Sequence, residues 1–149
     1  NASTGISAAK ALQAGSNVTL QSTNGNVTAG DSITATAGSV TASTGKGEVS
    51  VHGVTAGTDI SLTTEQGAIT ASGALNATDE VTLSATTSGA IQVNQQVTGK
   101  TSTVHTGSGN ITTADTAALK ATTDGGSIKV DTASGNIVLG NTASADEAV

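Results

Sequence analysis

A three-residue pattern recurs through the chain: an aliphatic residue, then usually Thr or Ser, then a second aliphatic or Ala. It stands at Val18-Thr19-Leu20, Val40-Thr41-Ala42, Ile60-Ser61-Leu62 and Val81-Thr82-Leu83. A second series runs Val27-Thr28-Ala29, Val49-Ser50-Val51, Ile69-Thr70-Ala71, Ile91-Gln92-Val93, Ile111-Thr112-Thr113 and Ile137-Val138-Leu139. Alternation of this kind puts the first and third side chains on one face, the signature of a short strand with one side buried. Thr and Val also favour strands over helices, and no helical stripe of comparable length competes. Continued through Val104 to Ile128, the first series advances 110 residues in five steps, as does the second, so the mean repeat is 22. A third series fits between them at Ile33, Val54, Leu75, Val97 and Ala117 or Leu119. Three short strands per turn, about six times over, predict an all-β, right-handed parallel β-helix. Each strand then lies ~4.8 Å from its counterpart one turn away.

The turns agree with the strands. Gly stands two residues before the aliphatic in every member of the second series, as in Gly67-Ala68-Ile69 and Gly89-Ala90-Ile91. Gly there turns the chain at positive φ without a Cβ penalty. Ala, Gly, Ser and Thr make up 88 of the 149 residues, and 28 Val, Ile and Leu are the whole stock of large core side chains. With no Phe, Trp, Tyr, Met, Cys or Pro, a thick globular core lacks its usual filling, whereas a thin core repeated many times does not need it. Residues 1–149 therefore read as one β-helix, with 141–149 as a polar, acidic tail. No capping helix is read at either end, so the expectation is a segment of a longer rod.

Composition also excludes functions. Five Lys and no Arg at a net charge of −6 give no basic patch, and the lack of aromatics removes base-stacking platforms, so nucleic acid is not an expected partner. No 18-residue apolar run exists, so membrane insertion is not expected. The absence of Cys removes disulfides, thiolate metal sites and thiol nucleophiles.

The segments Gly25-Asn26-Val27-Thr28-Ala29-Gly30, Gly38-Ser39-Val40-Thr41-Ala42, Gly67-Ala68-Ile69-Thr70-Ala71 and Gly109-Asn110-Ile111-Thr112-Thr113 resemble the β-helical shaft of filamentous-haemagglutinin-type exoproteins. These are secreted adhesins of bacterial two-partner secretion. The resemblance runs from about Ala14 to Leu139. It implies secretion to the bacterial cell surface through an outer-membrane β-barrel partner, and a role in adhesion or biofilm-matrix assembly. It also implies adjoining β-helix turns, of the same or neighbouring chains, and host or matrix glycans or proteins as partners. The family's secretion domain carries Asn-Pro motifs; this chain has no Pro, so no secretion-signal residues carry over.

Some parallel β-helices cleave polysaccharides, with an Arg or Lys base beside acidic Ca²⁺ clusters or with paired carboxylates. Here the eleven acids are scattered and Arg is absent, so no catalytic residues, no cofactor and no enzyme activity are expected. The one candidate metal group is Asp59, Asp79 and Glu80, where Asp59 and Asp79 are expected at one corner on successive turns and would offer Ca²⁺ hard oxygen ligands. His52 and His105 fall on different faces more than two turns apart, so neither a shared metal site nor a Ser-His-Asp arrangement is expected. Sequons begin at Asn17, Asn26, Asn76 and Asn110, and these Asn read as turn residues. Outward hydroxyls form two ranks, Thr19, Thr41, Ser61 and Thr82, then Ser43, Thr63 and Ser84, with Gln21 at the head of the second. The leading function is a structural rod of a secreted adhesin or extracellular fibre. The alternative is direct binding of carbohydrate or ice by the hydroxyl-rich face.

Two expectations can be checked in detail. Val18, Leu20, Val27, Val40, Val49, Val51, Ile60, Leu62, Ile69, Val81, Leu83, Ile91, Val93, Ile111, Ile128, Val130, Ile137 and Leu139 should face inward. Between Thr98 and Asp124 the spacing stretches to 23–26 residues and Thr106 and Thr113 take inward slots, which predicts an irregular turn there.

Overall fold

The computed structural model describes residues 3–122, 125–141 and 143–145. The chain winds into a parallel β-solenoid of three sheets. The long sheet stacks Val18–Ser22, Val40–Lys46, Ile60–Gln66, Glu80–Ser88, Thr101–Ser108 and Ser127–Ser134 in chain order. The second sheet stacks seven three-residue strands, from Ile6–Ala8 to Ile137–Leu139, and the third stacks seven, from Leu12–Ala14 to Ala143–Ala145. Ala143–Ala145, within the polar tail, thus pairs with Leu119–Ala121. Each strand pairs with those directly before and after it in its sheet, so the backbone groups inside the stack bond from turn to turn.

Inward positions make continuous columns. Val27, Val49, Ile69, Ile91 and Ile111 lie one above another in the second sheet, each fully buried. Ile33, Val54, Leu75, Val97 and Leu119 do the same in the third, with Leu119 rather than Ala117 in register. Of the eighteen residues expected inside, Ile137 and Leu139 are exposed, at 42% and 40%. They hold the inward slots above Ile111 and Thr113, but no described strand stacks on their far side.

The register corrects the reading of the late turns. Val104 pairs with Leu83, not with Val81; the partner of Val81 is Ser102, which is fully buried in the apolar column between Val81 and Ile128. Along that column the steps are 22, 20, 21, 21 and 26 residues. The stretch from Thr98 to Thr113 therefore runs in register, and the extra length comes later. Five residues separate Thr113 from Leu119 where three separate Val93 from Val97, and five separate Ala121 from Ser127 where one separates Gly99 from Thr101. Asp124 lies outside the described residues.

A second column explains the inward threonines of the long sheet. Ser22, Thr44, Thr64, Ala85, Thr106 and Thr132 align at the end of the long sheet. Thr44, Thr64, Thr106 and Thr132 donate their hydroxyls to the carbonyls of Gly25, Gly47, Gly89 and Gly109, at 2.8–3.1 Å. Each such hydroxyl satisfies a glycine corner of the turn before, so burying it carries no unpaired-polar cost. Ala85 breaks the pattern, and its strand is the one with a register shift, between Ala85 and Ser88. The corner itself demands glycine. Gly89 sits at φ +140°, and a Cβ there would run into the carbonyl of Gly67 one turn below.

Candidate functional site

The long sheet carries the chemistry because its strands are long enough to show two outward ranks. Register pairing makes the first rank Thr19, Thr41, Ser61, Thr82, Thr103 and Lys129. The second is Gln21, Ser43, Thr63, Ser84, His105 and Asp131. The hydroxyl ranks read from the sequence are thus contiguous rows, and each continues two turns further to end on a charged residue, Lys129 or Asp131. Gln21, Ser43 and Thr63 also line a shallow groove with Glu65 and Thr86 at the end of the same face.

The charged end of the second rank is tied together. His105 Nδ1 lies 2.7 Å from Asp131 Oδ2, and Lys129 Nζ lies 3.5 Å from Asp131 Oδ1. The hydrogen bond from His105, followed by the charges of His105 and Lys129, outweighs desolvation and holds the Asp131 carboxyl below the usual carboxylate range. Because Nδ1 is engaged, Nε2 is the ring atom left to exchange protons with a third group. Ser84 occupies the same rank one strand earlier. Ser84, His105 and Asp131 therefore stand in a row, which the sequence reading did not expect. The 26-residue last step places Asp131 over His105, and fixed spacing does not reveal it.

The remaining candidates are placed but not assembled. Asp59 and Asp79 do share a corner, since Asp79 N–H donates to the Thr58 carbonyl. The Asp59 carboxylate, however, accepts from Glu80 N–H at 3.2 Å and from the Ser39 hydroxyl at 3.3 Å, while Glu80 Oε1 accepts from Thr82 at 2.9 Å. Among the described residues no group of three or more His, Cys, Asp or Glu is positioned to hold a metal ion. His52 is exposed on another face, 3.3 Å from the Ser72 hydroxyl. Of the sequon residues, Asn17, Asn26 and Asn110 accept the N–H groups of Ser39, Glu48 and Asn136 one turn on, at 2.9–3.0 Å. These three are corner caps. Asn76 lies outward on the third sheet and is exposed.

The profile of the Toastrack DUF4097 family matches residues 9–148. The chain belongs to that family. The match spans nearly the whole solenoid, so the Toastrack domain here is a stack of short parallel strands around a thin aliphatic core. No curated protein and no solved structure matches the chain significantly.

Proposed function

We propose that this Toastrack solenoid is a rigid structural segment of a secreted bacterial adhesin or extracellular fibre. The observation that carries the reading is the uninterrupted three-sheet ladder, in which every central turn is bonded to two neighbours along all three faces. Six turns at ~4.8 Å give a rise of about 30 Å, and a structure bonded along its whole length resists bending and local opening. The likeness of its glycine-aliphatic-threonine repeats to haemagglutinin-type shafts supports export through an outer-membrane β-barrel partner and placement at the cell surface. Adjoining β-helix turns and host or matrix glycans or proteins are the partners this role calls for. An antibody raised against the solenoid tests it in the source cells: labelling of intact cells is expected. Labelling only after permeabilisation sinks the reading.

The groove of Gln21, Ser43, Thr63, Glu65 and Thr86 favours a second reading, in which the hydroxyl face itself holds carbohydrate. Saturable binding in a glycan titration, lost in Thr63→Val, is the expected result for that reading. The same hydroxyl ranks make ice the other candidate surface, and an ice-recrystallisation assay checks it.

A further inference from the structure

We propose that the row Thr63, Ser84, His105 and Asp131 is an acyl-transfer centre that takes small acyl esters, with Ser84 as the nucleophile. The four residues occupy one outward rank on four consecutive strands, so their order along the row is fixed by backbone pairing rather than by loops. Adjacent members are ~4.8 Å apart at the backbone, within reach of side chains that lean toward each other. Asp131 holds His105 through Nδ1 at 2.7 Å, which sets the tautomer and leaves Nε2 as the base. Lys129 braces the far carboxylate oxygen at 3.5 Å. Among the described residues the Ser84 and Thr63 hydroxyls have no hydrogen-bond partner, unlike the inward threonines. Ser84 and His105 are not hydrogen-bonded to each other either, and such pairs commonly close only when substrate is seated.

The roles follow from position. Ser84 Oγ attacks the ester carbonyl carbon and passes its proton to His105 Nε2. The carbonyl oxygen, now negative, lies beside the Thr63 hydroxyl on the side away from His105, which donates to it. Collapse breaks the bond from carbonyl carbon to alcohol oxygen, and His105 returns the proton to that leaving oxygen. Water then attacks the acyl-serine by the same route, releasing the carboxylic acid and restoring Ser84. Asp131 is a positioning residue. The face is open, so it offers no closed acyl pocket and suits an acetyl-sized group.

The probe is 4-nitrophenyl acetate, given to the whole chain. The expected result is acetylation of the peptide containing Ser84 and hydrolysis that drops about tenfold or more in Ser84→Ala. His105→Gln should fall with it. Asp131→Asn should lower kcat with KM unchanged, a split that a purely structural role would not produce. Because all three side chains face outward, circular dichroism should show each variant folded. The proposal is overturned if acetyl groups appear only on lysines, if Ser84→Ala hydrolyses as fast as the unaltered chain, or if the chain is no faster than equimolar imidazole.

Discussion

Ile111 and Ile137 occupy one column of the second sheet, on adjacent strands, yet Ile111 is fully buried and Ile137 is 42% exposed. The same contrast holds across the long sheet, where Ile60, Leu62, Val81 and Leu83 are dry while Ile128 and Val130 are half-buried. Side-chain type and facing are the same in both regions. What differs is the number of stacked neighbours, because in a solenoid each turn is the wall of the next one's core. Burial here is a property of position in the stack.

That contrast is broken most severely by charge. Ile69→Asp would set an unpaired carboxylate between Val49 and Ile91 and should cost about 4 kcal/mol or more, enough to unfold the central turns. Ile137→Asp should cost under about 1 kcal/mol, because water already reaches that site. Denaturant titration of the two variants measures the difference; equal losses would mean that the last turn is covered as the centre is. Next comes the glycine corner. Gly89→Ala meets both a disfavoured φ and the Gly67 carbonyl, and should lose about 3 kcal/mol. Gly15→Ala, where an added Cβ has nothing within 4 Å, should be near neutral by the same measurement.

These positions also show what could be read in advance. Period, strand face and glycine corner were legible because each leaves a residue-type mark at fixed spacing. Ser102 was not. Its strand has Val104 as its one large aliphatic, and nothing in composition tells which of two inward slots that Val fills. The threonine column was hidden for a related reason: Thr44 and Thr64, which bond glycine carbonyls, look the same in sequence as outward Thr41 and Thr63. The row of Ser84, His105 and Asp131 depends on how long connections after Thr113 and Ala121 are absorbed, which a mean repeat of 22 averages away. The capping role of Asp59 was hidden because only the fold brings the Glu80 N–H of the next turn within reach of its carboxylate.

Ser102 supplies an effect of opposite sign. Its hydroxyl is buried between Val81 and Ile128 without a hydrogen-bond partner among the described residues. Ser102→Val would restore the apolar column and should stabilise the chain by about 1–2 kcal/mol, seen as a higher denaturation midpoint with unchanged slope. A loss instead would show that the site is too narrow for a branched side chain, and Ser102→Ala would then separate hydroxyl cost from volume.

The smallest effect lies at Asp131, the place where the half-buried last turn of the long sheet is tied to the turn before it. Its carboxyl is held below the ordinary carboxylate range chiefly by the hydrogen bond from His105, then by the charges of His105 and Lys129. A group whose folded pKa is depressed adds stability at pH values above its unfolded pKa. That contribution disappears as pH falls through the folded pKa, because the native state must then take up the proton it had resisted. Both side chains are more than a third exposed, so solvent and salt screen the pair and its share of global stability is slight. Hydrogen exchange of Ser127–Ser134 is the sensitive reading. Opening of that strand should increase from neutral pH toward the acid side of the carboxylate range, and Asp131→Asn should flatten the change. The central strand Ile60–Gln66, which has no such pair, should show no matching response. If both strands respond alike, the tie between His105 and Asp131 does not set the stability of the last turn.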